Sequence, residues 1–145
     1  MLKRLLLKLK NHFIEVLKIK KTPQSIALGF AIGTFIAILP TFGLGLLIAL
    51  FIISLFPKLS KISLIFAFVI WNPFVLISLY GLSYKLGEFL FGPAPYIHYK
   101  LNLFEKVYFL TRRYLVGNLI ISLILSIISY LSILSIIYLR KIKIN

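Results

Sequence analysis

From Thr22 to Pro57 the chain carries no charged residue, and Pro40, Gly43 and Gly45 interrupt that stretch near its middle. One membrane-spanning helix needs about 20 apolar residues, so the stretch is too long for a single span and too interrupted for a straight one. A second uncharged stretch, Ile62 to Tyr84, is interrupted in the same way by Asn72-Pro73. Paired interruptions at membrane depth mark helices that stop and restart inside the bilayer, often beside a ligand or transport site. The sequence therefore predicts an all-α, multi-pass membrane protein of three to four crossings with two broken helices.

Composition agrees with this reading. Of the 145 residues 61% are hydrophobic, against about 45–50% apolar in soluble domains. A water-soluble fold would leave too much apolar surface exposed. The net charge is +14, from 17 Lys and Arg against three acids, Glu15, Glu88 and Glu105. Those charges fall at the ends and in the connections, which suits anionic lipid headgroups as partners. Nucleic acid is the rival partner for so basic a chain. Here the basic residues flank apolar spans and form no basic face, so no nucleic-acid partner is expected. The lack of cysteine excludes disulfides, thiolate metal sites and cysteine catalysis. Residues 1–21 do not read as a cleaved signal, because Lys8, Lys10, Glu15 and Lys18 interrupt the apolar core that a signal needs.

Five segments follow along the chain. Residues 1–21 form a basic amphipathic interfacial helix, with Leu2, Leu5, Leu6, Leu9, Phe13, Val16 and Leu17 on one stripe at about 100° per residue. Beside the stripe Lys3, Arg4, Lys8 and Lys10 can meet lipid headgroups, and the same stripe can instead pack on the bundle. Its positive charge puts the N-terminus on the cytoplasmic side of the cell membrane. Residues 22–92 are the broken-helix membrane domain. Thr22-Pro23 starts it as cap and first helical residue, and Asn72-Pro73 repeats that arrangement within the apolar layer. The half-helix begun there presents N–H groups that need partners in lipid. Gly29, Gly33 and Ala37, spaced by four, let another helix approach closely.

Residues 93–113 are an interfacial loop with a short helix over 101–110, and Arg112 and Arg113 are expected at the headgroups. Residues 114–139 are a transmembrane helix on which Ser122, Ser126 and Ser129, with Asn118 and Ser132, form a small polar packing face. A basic tail, residues 140–145, ends the chain. Three crossings follow if Pro40 only kinks one span, and four with both termini inside if it makes a hairpin. The Lys and Arg totals do not choose between them.

These residues resemble the prokaryotic membrane family DUF2062, a domain of unknown function. The resemblance covers residues 23–92. It rests on Pro23, Ala27, Gly29, Phe30, Ala31, Gly33 and Phe35, then Pro40-x2-Gly43, Asn72-Pro73 and Tyr84-x-Leu86-Gly87. Two positions depart from the family pattern. Leu44-Gly45 follows the Pro-x2-Gly turn where the family often has a polar residue, and Phe74-Val75 follows Asn-Pro where it often has Thr. The resemblance implies a multi-pass membrane protein and carries no activity.

Catalytic material is sparse. His12 and His98 have no ligand-spaced partners, so no metal site is expected. Gly43-x-Gly45 lacks the third glycine and the strand of a dinucleotide loop, and no cofactor is expected. An acid–base pair of His98 with Glu88 or Glu105 would have no nucleophile, so the chain is not expected to be an enzyme. Neither uncharged stretch holds an ionisable carboxylate or histidine, which disfavours proton-coupled transport. Transport or lipid handling at the paired breaks is the leading expectation, with Thr41, Gly43, Asn72 and Pro73 as ligand-binding residues near the midplane. The alternative is a scaffold that recruits anionic lipid or a partner protein through the N-terminal helix. A homo-oligomer or a membrane partner is expected in either case.

Overall fold

A computed structural model describes residues 1–8, 11, 21–93, 100 and 102–144. Helix α1 is helical over residues 2–8 and fully exposed. After it come α2 (Pro23–Ile38), α3 (Gly45–Leu55), α4 (Lys61–Ile70), α5 (Pro73–Phe91) and α6 (Leu103–Ile144). No strand occurs among the described residues.

Local chemistry sets most of these boundaries. Thr22 Oγ1 accepts from the Ser25 N–H at 3.2 Å, with Pro23 as the first helical residue of α2. Ser60 Oγ accepts from the Ser63 N–H to start α4. Asn72 Oδ1 accepts from both Phe74 and Val75 to start α5. At the start of α6 the Glu105 carboxylate reaches back to the Asn102 N–H, one half of a capping box. Helix α2 stops because Leu39 precedes a proline and is driven extended, with ψ 143. Gly92, at φ 76, ends α5.

Hydrogen bonds between helices fix their directions. Gln24, Ala31 and Ile38 of α2 bond Tyr138, Ser126 and Asn118 of α6 in turn, so these two helices are antiparallel. Gly29 faces Ser60 and Gly33 faces Leu64, so α2 and α4 are parallel. Helix α3 returns between them, and its Ala49 and Ile53 share a core with Ile36 of α2 and Leu64 of α4. Ser83 opposes Gly117 and Gly87 opposes Arg113, so α5 runs against α6. The start of α2, the α3–α4 turn and the end of α6 therefore adjoin. Lys21 Nζ donates to the Pro57 carbonyl at 2.9 Å, and Ser25 Oγ donates to the Lys58 carbonyl.

One expectation changes, and another is met in part. From Leu103 on, the short helix expected over 101–110 and the span over 114–139 are one helix of 42 residues, and residue 101 lies outside the described residues. Nothing between Leu103 and Val116 breaks it, because the sequence there holds neither proline nor glycine. Second, among the described residues two helices, Pro73–Phe91 and Leu103–Lys141, are long and apolar enough to cross a membrane. Helices α2, α3 and α4 have 16, 11 and 10 residues, short of the about 20 a span needs. The three crossings take α2 and α3 together as one kinked span, the four take them as two, and both take α4 with α5 as one broken span.

The molecule exposes 11000 Å². A water-soluble monomer of its 16.6 kDa would expose about 7,600 Å². Much of the excess is apolar: Leu47, Phe51, Phe66, Phe74 and Ile77 are each more than half exposed.

Candidate binding cavity

The site begins at a turn that most side chains avoid. After α2, the Thr41 N–H donates to the Leu39 carbonyl at 2.8 Å, a tight bend with Pro40 at its centre. The Leu44 N–H then donates to the Thr41 carbonyl at 2.9 Å across Phe42 and Gly43. Both central residues have positive φ, 50 for Phe42 and 89 for Gly43, the pattern of a type I′ turn. Glycine adopts it freely, and phenylalanine does so under strain. Phe42 is also 96% exposed at the tip. Two residues on, a Cβ at Gly45 would stand 2.8 Å from Thr41 Oγ1 and 3.2 Å from the Phe68 ring, so a larger residue there would have to displace both side chains.

Opposite this turn lies the break between α4 and α5, and the two enclose a cavity of about 520 Å³. Thr41, Gly43 and Gly45 line one wall, and Phe68, Trp71 and Pro73 another. Tyr80 of α5 and Tyr114 of α6 close it, edge to face with ring centroids 5.7 Å apart. Trp71 is held by its indole N–H, which donates to Thr34 Oγ1 of α2 at 3.0 Å. Phe42 and Leu46 also line the cavity, and both are exposed. Its lining carries no charge, and its side-chain polar groups belong to Thr41, Trp71, Tyr80 and Tyr114.

Thr41, Gly43 and Pro73, named from the sequence, thus line one cavity. Asn72 has another task. Its carboxamide oxygen takes the Phe74 and Val75 N–H groups, its backbone carbonyl takes that of Leu76, and Pro73 has none. The start of α5 therefore satisfies its own donors. The first turn of α3, by contrast, has no side-chain cap.

The packing residues sit between helices. A Cβ at Gly29 would stand 2.7 Å from the Ser60 carbonyl oxygen, and Gly33 lies against Leu64 and Ala67. Ala37 is buried and reaches the cavity wall. Ser126 Oγ donates to the Ala31 carbonyl at 2.8 Å, Ser122 Oγ donates to Leu119 of its own helix, and Ser129 is half-buried.

The headgroup residues divide. Lys3, Arg4 and Lys8 are exposed, and Lys10 lies outside the described residues. Arg112 is exposed, with its guanidinium 4.2 Å from the Phe91 ring centre. Arg113 departs from expectation. It is 3% exposed and donates to the carbonyls of Gly92, Pro93 and Phe109. Its cation closes the C-terminus of α5, where the helix dipole favours positive charge. Neighbours on a helix point about 100° apart, so one arginine faces out and the next faces in.

Trp71, Tyr80, Tyr114 and Asn118 were not singled out as ligand or catalytic residues from the sequence. Asn118 is fully buried, and its Nδ2 donates to the Ile38 carbonyl at 3.2 Å and to Ser83 Oγ at 3.4 Å. It ties the end of α2 to both long helices. Among the described residues no three of His, Asp and Glu gather as a metal site.

The family described as an uncharacterized protein conserved in bacteria (DUF2062) matches residues 7–144. No curated protein and no solved structure matches the chain.

Proposed function

The chain belongs to the DUF2062 family, and from that premise we propose an integral protein of the bacterial cell membrane that binds lipid at the turn of a re-entrant hairpin. In this reading α2 dips into the bilayer, turns at Pro40–Leu44 and returns through α3 to the face it entered. At 1.5 Å per residue its arms reach about 24 and 16 Å, less than the roughly 30 Å of hydrocarbon. The chain then crosses along α4 and α5, broken at Asn72, and recrosses along α6. Two crossings and a hairpin put both ends of the chain on one side. The adjoining start of α2, α3–α4 turn and end of α6 support this arrangement. Twelve of the 17 Lys and Arg, from residues 3–21, 58–61 and 140–143, then share that side, which makes it the cytoplasmic one.

Lipid is the ligand class that suits the cavity. Its size lies within the about 300–1,000 Å³ of small-molecule sites. An uncharged lining of aliphatic and aromatic groups fits a hydrocarbon chain and offers nothing to balance an ion. The Thr41, Tyr80 and Tyr114 hydroxyls and the first-turn N–H groups of α3 supply hydrogen bonds for an ester or headgroup oxygen. A small carboxylate at the start of α5 is not favoured, because Asn72 already takes those donors. The observation that carries the reading is that both chain breaks face one cavity.

A photoactivatable phospholipid in reconstituted vesicles tests it. Crosslinks are expected within residues 39–46 and 71–80, and Leu76→Trp, which fills the cavity, should remove most of them. Crosslinks spread evenly over the lipid-facing side of α6 would contradict a bound lipid. The scaffold reading draws on the exposed Lys3, Arg4 and Lys8 of α1. Deleting residues 1–21 separates the two, since the cavity crosslinks should survive it.

A further inference from the structure

We propose that the end of the bundle where the hairpin enters is a docking surface for the anionic phospholipid headgroups of one leaflet. Three segments remote in sequence build it. The Lys21 ammonium on the Pro57 carbonyl and Ser25 on the Lys58 carbonyl fasten the α3–α4 turn to the start of α2. Gln24, one turn of chain away, donates to the Tyr138 hydroxyl at 3.1 Å and brings in the end of α6. Lys58, Lys61, Arg140 and Lys141 are all exposed there.

No described acid opposes them. Glu88 lies near the far end of α5, and Glu105 lies in the first turn of α6, both at the opposite end of the bundle. Lys21 is met by a carbonyl and not a carboxylate, so its charge is not neutralised.

What borders the charges identifies the partner. Leu55, Phe56 and Leu139 adjoin them and are 57%, 58% and 66% exposed. A dissolved polyanion would leave those side chains in water. A leaflet covers them with hydrocarbon while its phosphates meet the lysines and arginines. Tyr138, with an apolar ring and a bonded hydroxyl, is the residue type found at such a boundary.

This inference rests on the membrane reading above. The full chain in detergent, titrated with phosphatidylglycerol or phosphatidylcholine and read by native mass spectrometry, tests it. The wild type should retain phosphatidylglycerol in preference. Changing Lys58, Lys61, Arg140 and Lys141 to Gln should lower that retention about tenfold or more. Changing Lys85, Lys100, Lys106 and Arg112 to Gln at the opposite end removes equal charge and should leave it unaltered. Equal loss in both variants, or in neither, overturns the proposal, as does displacement of the lipid by equimolar inorganic phosphate. Impermeant labelling of Lys58→Cys and Lys141→Cys separates the two ideas. Labels on opposite faces sink the membrane arrangement and this surface together, whereas labels on one face without lipid preference sink the surface alone.

Discussion

At Phe42 and Gly43 the backbone adopts positive φ in consecutive residues. Nothing lies within 4 Å of a Cβ added at Gly43, so the cost of a side chain there is conformational. Gly43→Ala should lower stability by about 1–2 kcal/mol, and Phe42→Gly should leave it unchanged or raise it, measured by thermal unfolding in detergent. No loss from Gly43→Ala, or a clear loss from Phe42→Gly, would contradict a conformational cost at this turn. Arg113 offers a second prediction. Arg113→Gln leaves the carbonyls ending α5 without their cation and should cost about 2 kcal/mol, whereas the exposed Arg112→Gln should cost little. The sequence held both arginines but not their phase, because helical phase is set by which face α5 covers.

Among the elements, start signals were readable in the sequence because they are local. Thr22-Pro23 and Asn72-Pro73 each cap a helix within three residues. The full length of α6 was not readable, since polar residues at Thr111–Arg113 look like a boundary yet sit comfortably in a helix. Partner choice was equally hidden. Gly87 and Gly117 stand against the backbone of the facing helix, while Gly81 on the same α5 has nothing within 4 Å. Gly117→Val should therefore cost about 1–3 kcal/mol or prevent folding. Gly81→Ala should stabilise by up to about 1 kcal/mol, the usual gain in a helix interior. Matching losses at the two positions would contradict this close crossing.

For the whole molecule, the breaks at residues 40 and 72 were legible because proline and glycine act on their own neighbours. That they face one cavity, and that Tyr80 and Tyr114 close it, depends on α4 running parallel to α2, which no local pattern encodes. In the arrangement proposed above, the same tertiary fact makes α2 and α3 a re-entrant hairpin, where the sequence alone left one kinked span and two separate spans both open. Single cysteines test this most directly, in a chain that has none of its own. Lys58→Cys, Lys106→Cys and Lys141→Cys proteins would be exposed to an impermeant maleimide in sealed vesicles of known orientation. The account predicts that positions 58 and 141 react from one face and position 106 from the other. Reaction of position 58 from the same face as position 106 would mean that α2 and α3 do not return, and would contradict it.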